Sequence, residues 1–207
     1  MKKIAVSIHA KDNFNPDILK DLKNIDFIHI DVMDGKFVDS LNLNLEIFKV
    51  VKEEFEIPIL AHLMVVDPLN YINAIIDHVY AFLFHFEIDT DITRVIEEVK
   101  KYNKKVGLVI NPSTKISDIL EYLSLLDIIL ILGVNPGWSG QKFIPETINK
   151  IEKLAKYKTK YNFLIDVDGG INPETAKKLQ KADILTSASA ILNAVDPNSV
   201  IQKLSVI

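Results

Sequence analysis

The strongest constraint on the fold is an alternation that runs through all 207 residues: a short β-branched run, a turn, and then a segment with helical periodicity. Eight such units of about 26 residues each fill the chain, with no linker or low-complexity segment between them. The predicted strands are 3–8, 26–32, 57–64, 79–86, 105–110, 126–132, 161–167 and 183–187. The pattern predicts an α/β fold, a (β/α)8 TIM barrel that forms a single domain over residues 1–207.

An open, doubly wound sheet is the alternative fold. Such a sheet would need a glycine-rich turn after its first strand to bind a nucleotide, and the segment HAKDNFNP that follows strand 3–8 contains no glycine. Several helix starts are marked by an Asx residue followed by proline. These starts are Asn15-Pro16, Asp67-Pro68, Asn172-Pro173 and Asp196-Pro197.

Composition and charge exclude several classes of protein. The net charge is −4 and no cluster of Lys and Arg occurs, which argues against a nucleic-acid partner. There is no cysteine, so disulfides and thiolate metal sites are excluded. The opening segment has neither a cleavage pattern nor a membrane-length apolar run, so we expect a cytoplasmic protein without a membrane partner. Arg94 is the only arginine, so an anion must be bound largely by lysine or by backbone amides.

Polar side chains interrupt the predicted strands near their carboxyl ends, where barrel enzymes place their chemistry. On strand 26–32, period-2 alternation puts His29 and Asp31 on the face opposite the apolar residues that suit the helix layer. These two side chains therefore point into the barrel near its mouth. His62 lies near the end of strand 57–64, on the same face as Met64, and Asp168 follows strand 161–167. A buried carboxylate is costly unless it is paired or bound to a metal.

Two imidazoles and two carboxylates without sulfur suit one divalent ion such as Zn, Fe, Mn or Co, whereas Mg or Ca would favour oxygen ligands alone. A single inward histidine is more often a core residue. Four candidates at one barrel mouth make a metal site the better interpretation. His9 and His85 also lie at strand ends. For these two histidines a place in the core is at least as good an interpretation as a functional role, and His85 could also line the pocket.

The two carboxylates also suggest a reaction. Their strands lie three steps apart around an eight-strand ring, so Asp31 and Asp168 can approach a substrate from opposite sides. Inversion at carbon requires such a pair, because one group removes a proton from one face and the other returns a proton to the opposite face. A metal at a neighbouring carbonyl would stabilise the enediolate between these steps.

Glycines follow the late strands, where barrel enzymes usually bind phosphate. Gly137 and Gly140 lie after strand 126–132, and Gly169-Gly170 lies after strand 161–167. Glycine allows backbone N–H groups to approach an anion closely. The segment Ser187–Leu192 after the last strand could add a short helix N-terminus to this site.

Together these segments resemble the ribulose-phosphate 3-epimerase family. The resemblance covers nearly the whole chain, and four segments are specific in combination: Val6–Ile8, His29–Val38 (HIDVMDGKFV), Val134–Phe143 (VNPGWSGQKF) and Val167–Ile171 (VDGGI). It implies a TIM barrel of the ribulose-phosphate-binding type and a metal-dependent isomerase. That enzyme would interconvert D-ribulose 5-phosphate and D-xylulose 5-phosphate, in the pentose phosphate pathway, through a metal-stabilised enediolate. The resemblance also implies a homo-oligomer, commonly a dimer or a hexamer.

By position, the resemblance assigns roles to individual residues. One divalent metal ion per chain would be held by His29, Asp31, His62 and Asp168, with Asp31 and Asp168 doubling as the acid–base pair. The implied contacts of the sugar phosphate are Ser7, His62, the apolar cap of Met33 and Met64, and the phosphate loops with Gly137, Gly140, Gly169, Gly170, Ala188 and Ser189.

The chain departs from the family pattern at several of these segments. His9 replaces a leucine, Leu132 a methionine of the cap, and Asp39 adds a negative charge to the lid, while Ser139 and Ala188 replace glycines of the phosphate loops. A Cβ at Ala188 is costly if that residue must adopt a positive φ.

The departures leave two alternatives open: a 3-epimerase of a six-carbon ketose phosphate such as D-allulose 6-phosphate, and a non-catalytic paralogue that binds sugar phosphate. Similar decarboxylases use an Asp-x-Lys-x-x-Asp strand. The corresponding segment Asp31-Val-Met33 has no lysine to deliver the proton, which argues against that chemistry.

Overall fold

Eight parallel strands close into a ring in the computed structural model, which describes residues 1–138 and 140–207. In chain order the strands are β1 (Lys3–His9), β2 (Phe27–Asp34), β3 (Leu41–Asn42), β4 (Ile59–Met64), β5 (Ala81–His85), β6 (Lys105–Ile110), β7 (Ile128–Leu132), β8 (Leu164–Asp168) and β9 (Ile184–Ser187). The ring closes because β1 pairs in parallel with both β2 and β9. The predicted (β/α)8 TIM barrel is confirmed, and the open sheet is excluded.

Strand β3 is an addition that the sequence pattern did not predict. It runs antiparallel to the end of β2 and pairs Met33 with Asn42 and Asp34 with Leu41. Two residues are too few to show a period, so only the pairing identifies them as a strand. Together with the bond from the Ser40 hydroxyl to the carbonyl of Gly137 (2.8 Å), β3 holds segment 35–40 against the loop after β7.

The outer layer consists mostly of short helices. They are α1 (Asp17–Lys20), α2 (Glu46–Glu54), α3 (Leu69–Ile75), α4 (Ile92–Lys100), α5 (Thr147–Ala155), α6 (Pro173–Ala176), α7 (Ser189–Leu192) and α8 (Pro197–Ser205), with 3-10 helices at Ile76–His78, Ile116–Tyr122 and Lys156–Thr159. Between β6 and β7 a 3-10 helix takes the place of an α-helix. In the described part of the chain, no helix has the length and hydropathy needed to cross a bilayer.

Two of the four predicted Asx-Pro helix starts form as expected. The side chain of Asn172 accepts hydrogen bonds from the N–H groups of Glu174 and Thr175 at the start of α6, and Asp196 accepts from Ser199 at the start of α8. At the other two starts the proline itself is the N-cap, and α1 and α3 begin one residue later than predicted. The hydrogen bonds of Asn172 and Asp196 satisfy N–H groups that a helix leaves free at its first turn.

Alternate residues of each strand pack into two separate cores. Outward residues such as Ile28 and Ile30 pack with the helix layer. Inward residues such as Leu60, Leu83 and Leu130 fill the lower part of the barrel, which is the part below the carboxyl ends of the strands. The inner core is dense: a Cβ at Gly107 would lie 2.3 Å from the side chain of Leu83. Because the lower barrel is filled, inward polar side chains reach an open cavity only at the carboxyl ends of the strands.

Candidate active site

Four side chains converge at the carboxyl end of the ring. His29 and Asp31 come from β2, His62 from β4 and Asp168 from β8, and one ligand atom of each lies within 4.8 Å of all the others. Oδ1 of Asp31 lies 2.7 Å from Nδ1 of His62 and 3.1 Å from Nε2 of His29. That nitrogen of His29 lies 4.0 Å from Oδ2 of Asp168. The structure therefore brings together the four residues that the sequence singled out.

This cluster has the chemistry of a metal site. Its donors are two imidazole nitrogens and two carboxylate oxygens, and His29, Asp31 and His62 are buried. Two carboxylates in a protein interior need a compensating positive charge. The four residues could hold one divalent ion, and a nitrogen and oxygen donor set without sulfur suits several first-row ions.

The two carboxylates have opposite electrostatic environments. Burial would raise the pKa of Asp31, but His29 and His62 beside it hold that pKa well below its usual range. Burial raises the pKa of Asp168 to about 6, with His29 opposing the shift and Asp31 adding to it. Burial would lower the pKa of His29, but Asp31, with Asp168 and Asp166 beyond it, raises that pKa to about 9. The more acidic carboxyl group lies on β2 and the less acidic one on β8.

A cavity of about 580 Å³ opens above the cluster. Asp31 and Asp168 reach it, while His29 lies beneath it and does not line it. Every residue predicted to contact the sugar phosphate borders this one cavity: Ser7, Met33, His62, Met64, Gly137, Gly140, Gly169, Gly170, Ala188 and Ser189. The structure gives these side chains and loops a common location, and their individual roles stay predictions.

The loop conformations explain part of the glycine pattern. Gly170 has φ +69° and a Cβ there would lie 2.7 Å from the backbone nitrogen of Phe143, so only glycine fits. Ala188 has φ −105°, so the positive φ that would have made its Cβ costly does not occur. The other replaced glycine of the pattern, Ser139, lies outside the described residues.

The remaining departures from the family pattern also lie at the mouth. His9 lines the cavity with its Nε2 3.8 Å from Oδ2 of Asp31, and burial lowers the pKa of His9 although Asp31 opposes this. Leu132 lines the cavity together with Met33 and Met64, so the apolar wall is retained without the methionine. Asp39 is exposed on the segment between β2 and β3.

Two buried groups beside the cluster were missed or left undecided by the sequence. His85 does not line the cavity but lies behind His62, with the Nε2 atoms of the two rings 3.0 Å apart. Asp166 is fully buried and accepts a hydrogen bond from the hydroxyl of Thr186 (2.8 Å), while its Oδ2 has no hydrogen-bond partner among the described residues. Burial raises the pKa of Asp166 to about 6. The period-2 pattern that placed Asp168 inward also places Asp166 inward and could have identified it.

Fold and cluster together define an α/β-barrel protein with a candidate metal site and two carboxyl groups at the mouth of the barrel. A sequence model of the ribulose-phosphate 3 epimerase family matches residues 3–192. The chain belongs to this family, and its members are isomerases that act on carbohydrates.

Similar proteins support the assignment along most of the chain. A ribulose-phosphate 3-epimerase of Methanocaldococcus jannaschii is 38% identical and the match covers 99% of this chain and 90% of that protein. One from Bacillus subtilis is 36% identical, covering 86% and 85%. KGPDC from Streptococcus mutans superposes with a TM-score of 0.74 over 99% of this chain and 96% of its own, at 14% identity, which shows a shared fold alone.

Proposed function

We propose that this protein epimerises C3 of D-ribulose 5-phosphate to give D-xylulose 5-phosphate, and the reverse. The observation that carries the proposal is the position of Asp31 and Asp168. They reach one cavity from β2 and β8, which are separated in the ring by β1 and β9. Two carboxyl groups on opposite sides of one carbon are what a two-base inversion needs.

The chain's own residues perform the proton transfers. The carboxylate of Asp31 removes the C3 proton from one face of the sugar, and the carboxyl group of Asp168 returns a proton to the other face; the roles exchange in the reverse direction. The different pKa values of the two groups support this division into one base and one acid. The hydroxyl of Ser7 donates a hydrogen bond to Oδ2 of Asp31 (2.9 Å) and so orients that carboxylate.

The other groups at the cavity bind and shield the substrate. His29, Asp31, His62 and Asp168 would hold one divalent ion, which would supply Lewis-acid stabilisation of the negative charge that develops on the substrate oxygen. Met33 and Met64 form an apolar wall beside Asp31 that excludes water from the reacting carbon. The loops with Gly140, Gly170 and Ser189 offer backbone N–H groups to the phosphate.

Conversion of D-ribulose 5-phosphate, followed in a coupled assay in D2O, tests the proposal. We expect deuterium at C3 of the product, and a loss of about 10²–10⁴-fold in kcat for Asp31→Asn and for Asp168→Asn. Asp89→Asn is the matched control. Asp89 is exposed on the loop after β5, so its substitution removes the same charge at a position that does not line the cavity. Full activity of Asp31→Asn would contradict the mechanism.

The same assay with D-allulose 6-phosphate tests the choice of sugar. We expect a lower kcat/KM on the six-carbon sugar than on the five-carbon one. The opposite ranking would support the hexose-phosphate alternative, and binding of both sugars without exchange at C3 would identify a paralogue that only binds them.

We further propose that each chain holds one Zn, Fe, Mn or Co ion and that the protein is a cytoplasmic homo-oligomer, a dimer or a hexamer. The donor set supports the choice of ions. Exposed large apolar side chains at the barrel mouth support self-association: Leu41 on β3, and Val66 and Trp138 on loops. Metal content and light scattering on the same purified sample measure the ion and the oligomeric state, and cell fractionation measures the location.

A further inference from the structure

A chain of hydrogen bonds leads from the buried ring of His62 away from the cavity. Nε2 of His62 lies 3.0 Å from Nε2 of His85, and Nδ1 of His85 lies 3.1 Å from Oε2 of Glu87. Both imidazoles are buried, and the ring of Phe37 packs 4.6 Å from the His85 ring. Neither His85 nor Glu87 lines the cavity above the metal cluster.

The far end of this chain is anchored by the loop after β6. Oε1 of Glu87 accepts a hydrogen bond from the backbone N–H of Asn111 (2.8 Å) and another from the hydroxyl of Thr114. The ammonium group of Lys150 on α5 donates to the carbonyls of Asn111 (2.7 Å) and Pro112 (2.9 Å). Three parts of the barrel, β5, the loop after β6 and α5, therefore fix the orientation of the Glu87 carboxylate.

The proton positions follow from what each group can donate. An ionised carboxylate only accepts, so the bond to Glu87 requires a proton on Nδ1 of His85. A neutral His85 then has a bare Nε2, which can only accept, and the proton in the bond between the two rings must belong to Nε2 of His62. Nδ1 of His62 lies 2.7 Å from Oδ1 of Asp31, and without a metal a proton must join the two atoms. A bound metal ion would take the place of that proton, and the lone pair of Nδ1 would then face the ion.

We propose that His85 and Glu87 are positioning residues that fix the tautomer of His62, so that the lone pair of its Nδ1 faces the metal position. Metal-binding histidines are commonly oriented by a carboxylate that accepts from the second ring nitrogen, and here a second imidazole stands between the ligand and that carboxylate. The inference rests on the metal site of the proposed function, and it adds two residues that touch neither the metal nor the substrate.

Glu87→Gln reverses the order of donors and acceptors with almost no change of shape. The N–H of Asn111 and the hydroxyl of Thr114 require an acceptor, so the amide oxygen takes the place of Oε1 and the NH2 group faces His85. Nδ1 of His85 must then accept, and its protonated Nε2 opposes the protonated Nε2 of His62. We expect Zn²⁺ binding to weaken by about 10–100-fold.

Two control variants separate the tautomer from structural damage. Thr114→Val removes a hydrogen bond to Glu87 but keeps a carboxylate against His85, so we expect a lower unfolding temperature with Zn²⁺ affinity close to that of the wild type. Asp89→Asn removes one negative charge from the same loop as Glu87 and should change neither quantity.

The experiment combines competition titrations with Zn²⁺ and long-range ¹H–¹⁵N NMR of the Zn²⁺-loaded protein. The expected wild-type spectrum shows His62 protonated at Nε2 and His85 protonated at Nδ1. A His85 ring protonated at Nε2, or Glu87→Gln that binds Zn²⁺ as tightly as the wild type, would overturn the proposal even if the enzyme is active. The expected spectrum and affinities in a protein that does not convert D-ribulose 5-phosphate would support the positioning role and contradict the proposed function. A wild-type protein that takes up no Zn²⁺ would overturn both.

Discussion

Single side chains at strand ends organise the mouth of this barrel. The carboxylate of Asp34, the last residue of β2, accepts hydrogen bonds from the backbone N–H groups of Lys36 and Phe37 on one oxygen and of Val66 on the other, all at 2.8 Å. It therefore joins the segment after β2 to the loop after β4. Burial would raise the pKa of Asp34, but these N–H donors lower it below its usual value.

Asp34→Ala should lower the free energy of unfolding at pH 7 by about 1–2 kcal/mol, because three N–H groups lose an ionised acceptor at a partly exposed position. A carboxyl group whose pKa is lower in the folded state stabilises above its unfolded pKa, and this contribution is lost as the pH falls through the folded pKa. The difference from the wild type should therefore shrink below about pH 4. Urea unfolding at several pH values measures it.

The control for this prediction is Asp39→Ala, which removes an exposed charge from the same segment. We expect it to change stability by less than about 0.5 kcal/mol. An equal loss in both variants would show that the segment tolerates neither change and that the N–H bonds of Asp34 have no special weight.

At the scale of elements, the loops after β7 and β8 each contain a glycine with a positive φ, but only the glycine after β8 is also closely packed. Gly140 and Gly170 both have positive φ values, +83° and +69°. A Cβ at Gly140 would meet no described atom within 4 Å, whereas one at Gly170 would lie 2.7 Å from the backbone nitrogen of Phe143. The pair separates the cost of conformation from the cost of a clash.

Gly140→Ala should cost about 1–2 kcal/mol of stability from the left-handed conformation alone. Gly170→Ala should cost a further 1–3 kcal/mol or so, because the backbone of Phe143 has to move. Thermal unfolding should therefore show a lower midpoint for Gly170→Ala, by about 2–4 °C for each additional kcal/mol. Equal midpoints would mean that the loop carrying Phe143 moves aside at no cost.

At the scale of the whole molecule, ring closure connects residues far apart in the sequence. The ligands of the candidate metal site come from β2, β4 and β8. The two ends of the chain meet at the opposite side of the barrel, where the N–H of Lys2 donates to the carbonyl of Ser205 (3.0 Å). Residues 1–207 should therefore unfold as one cooperative domain.

Chelation tests this cooperativity and the metal site together. Free metal at a thousandfold excess over its Kd stabilises the folded state by about 4 kcal/mol, so a chelator should lower the unfolding midpoint by about 8–16 °C in a single transition. Asp168→Asn lacks one ligand and should show a smaller shift. Two transitions would contradict the single domain, and an unchanged midpoint would contradict the metal site.

The sequence by itself determined the eight parallel strands, the inward side of the strand that carries His29 and Asp31, and the convergence of these two residues with His62 and Asp168. These follow from a period of two along a strand and from the rule that parallel strands present their carboxyl ends at the same edge. The pairing of β3, the negative φ of Ala188 and the contacts of His85 were decided only by the tertiary structure. They depend on distances between strands and loops that the chain brings together only when the ring closes. The role of an inward histidine, whether it fills the core or supports a metal ligand, depends on such a distance, and no local sequence pattern encodes it.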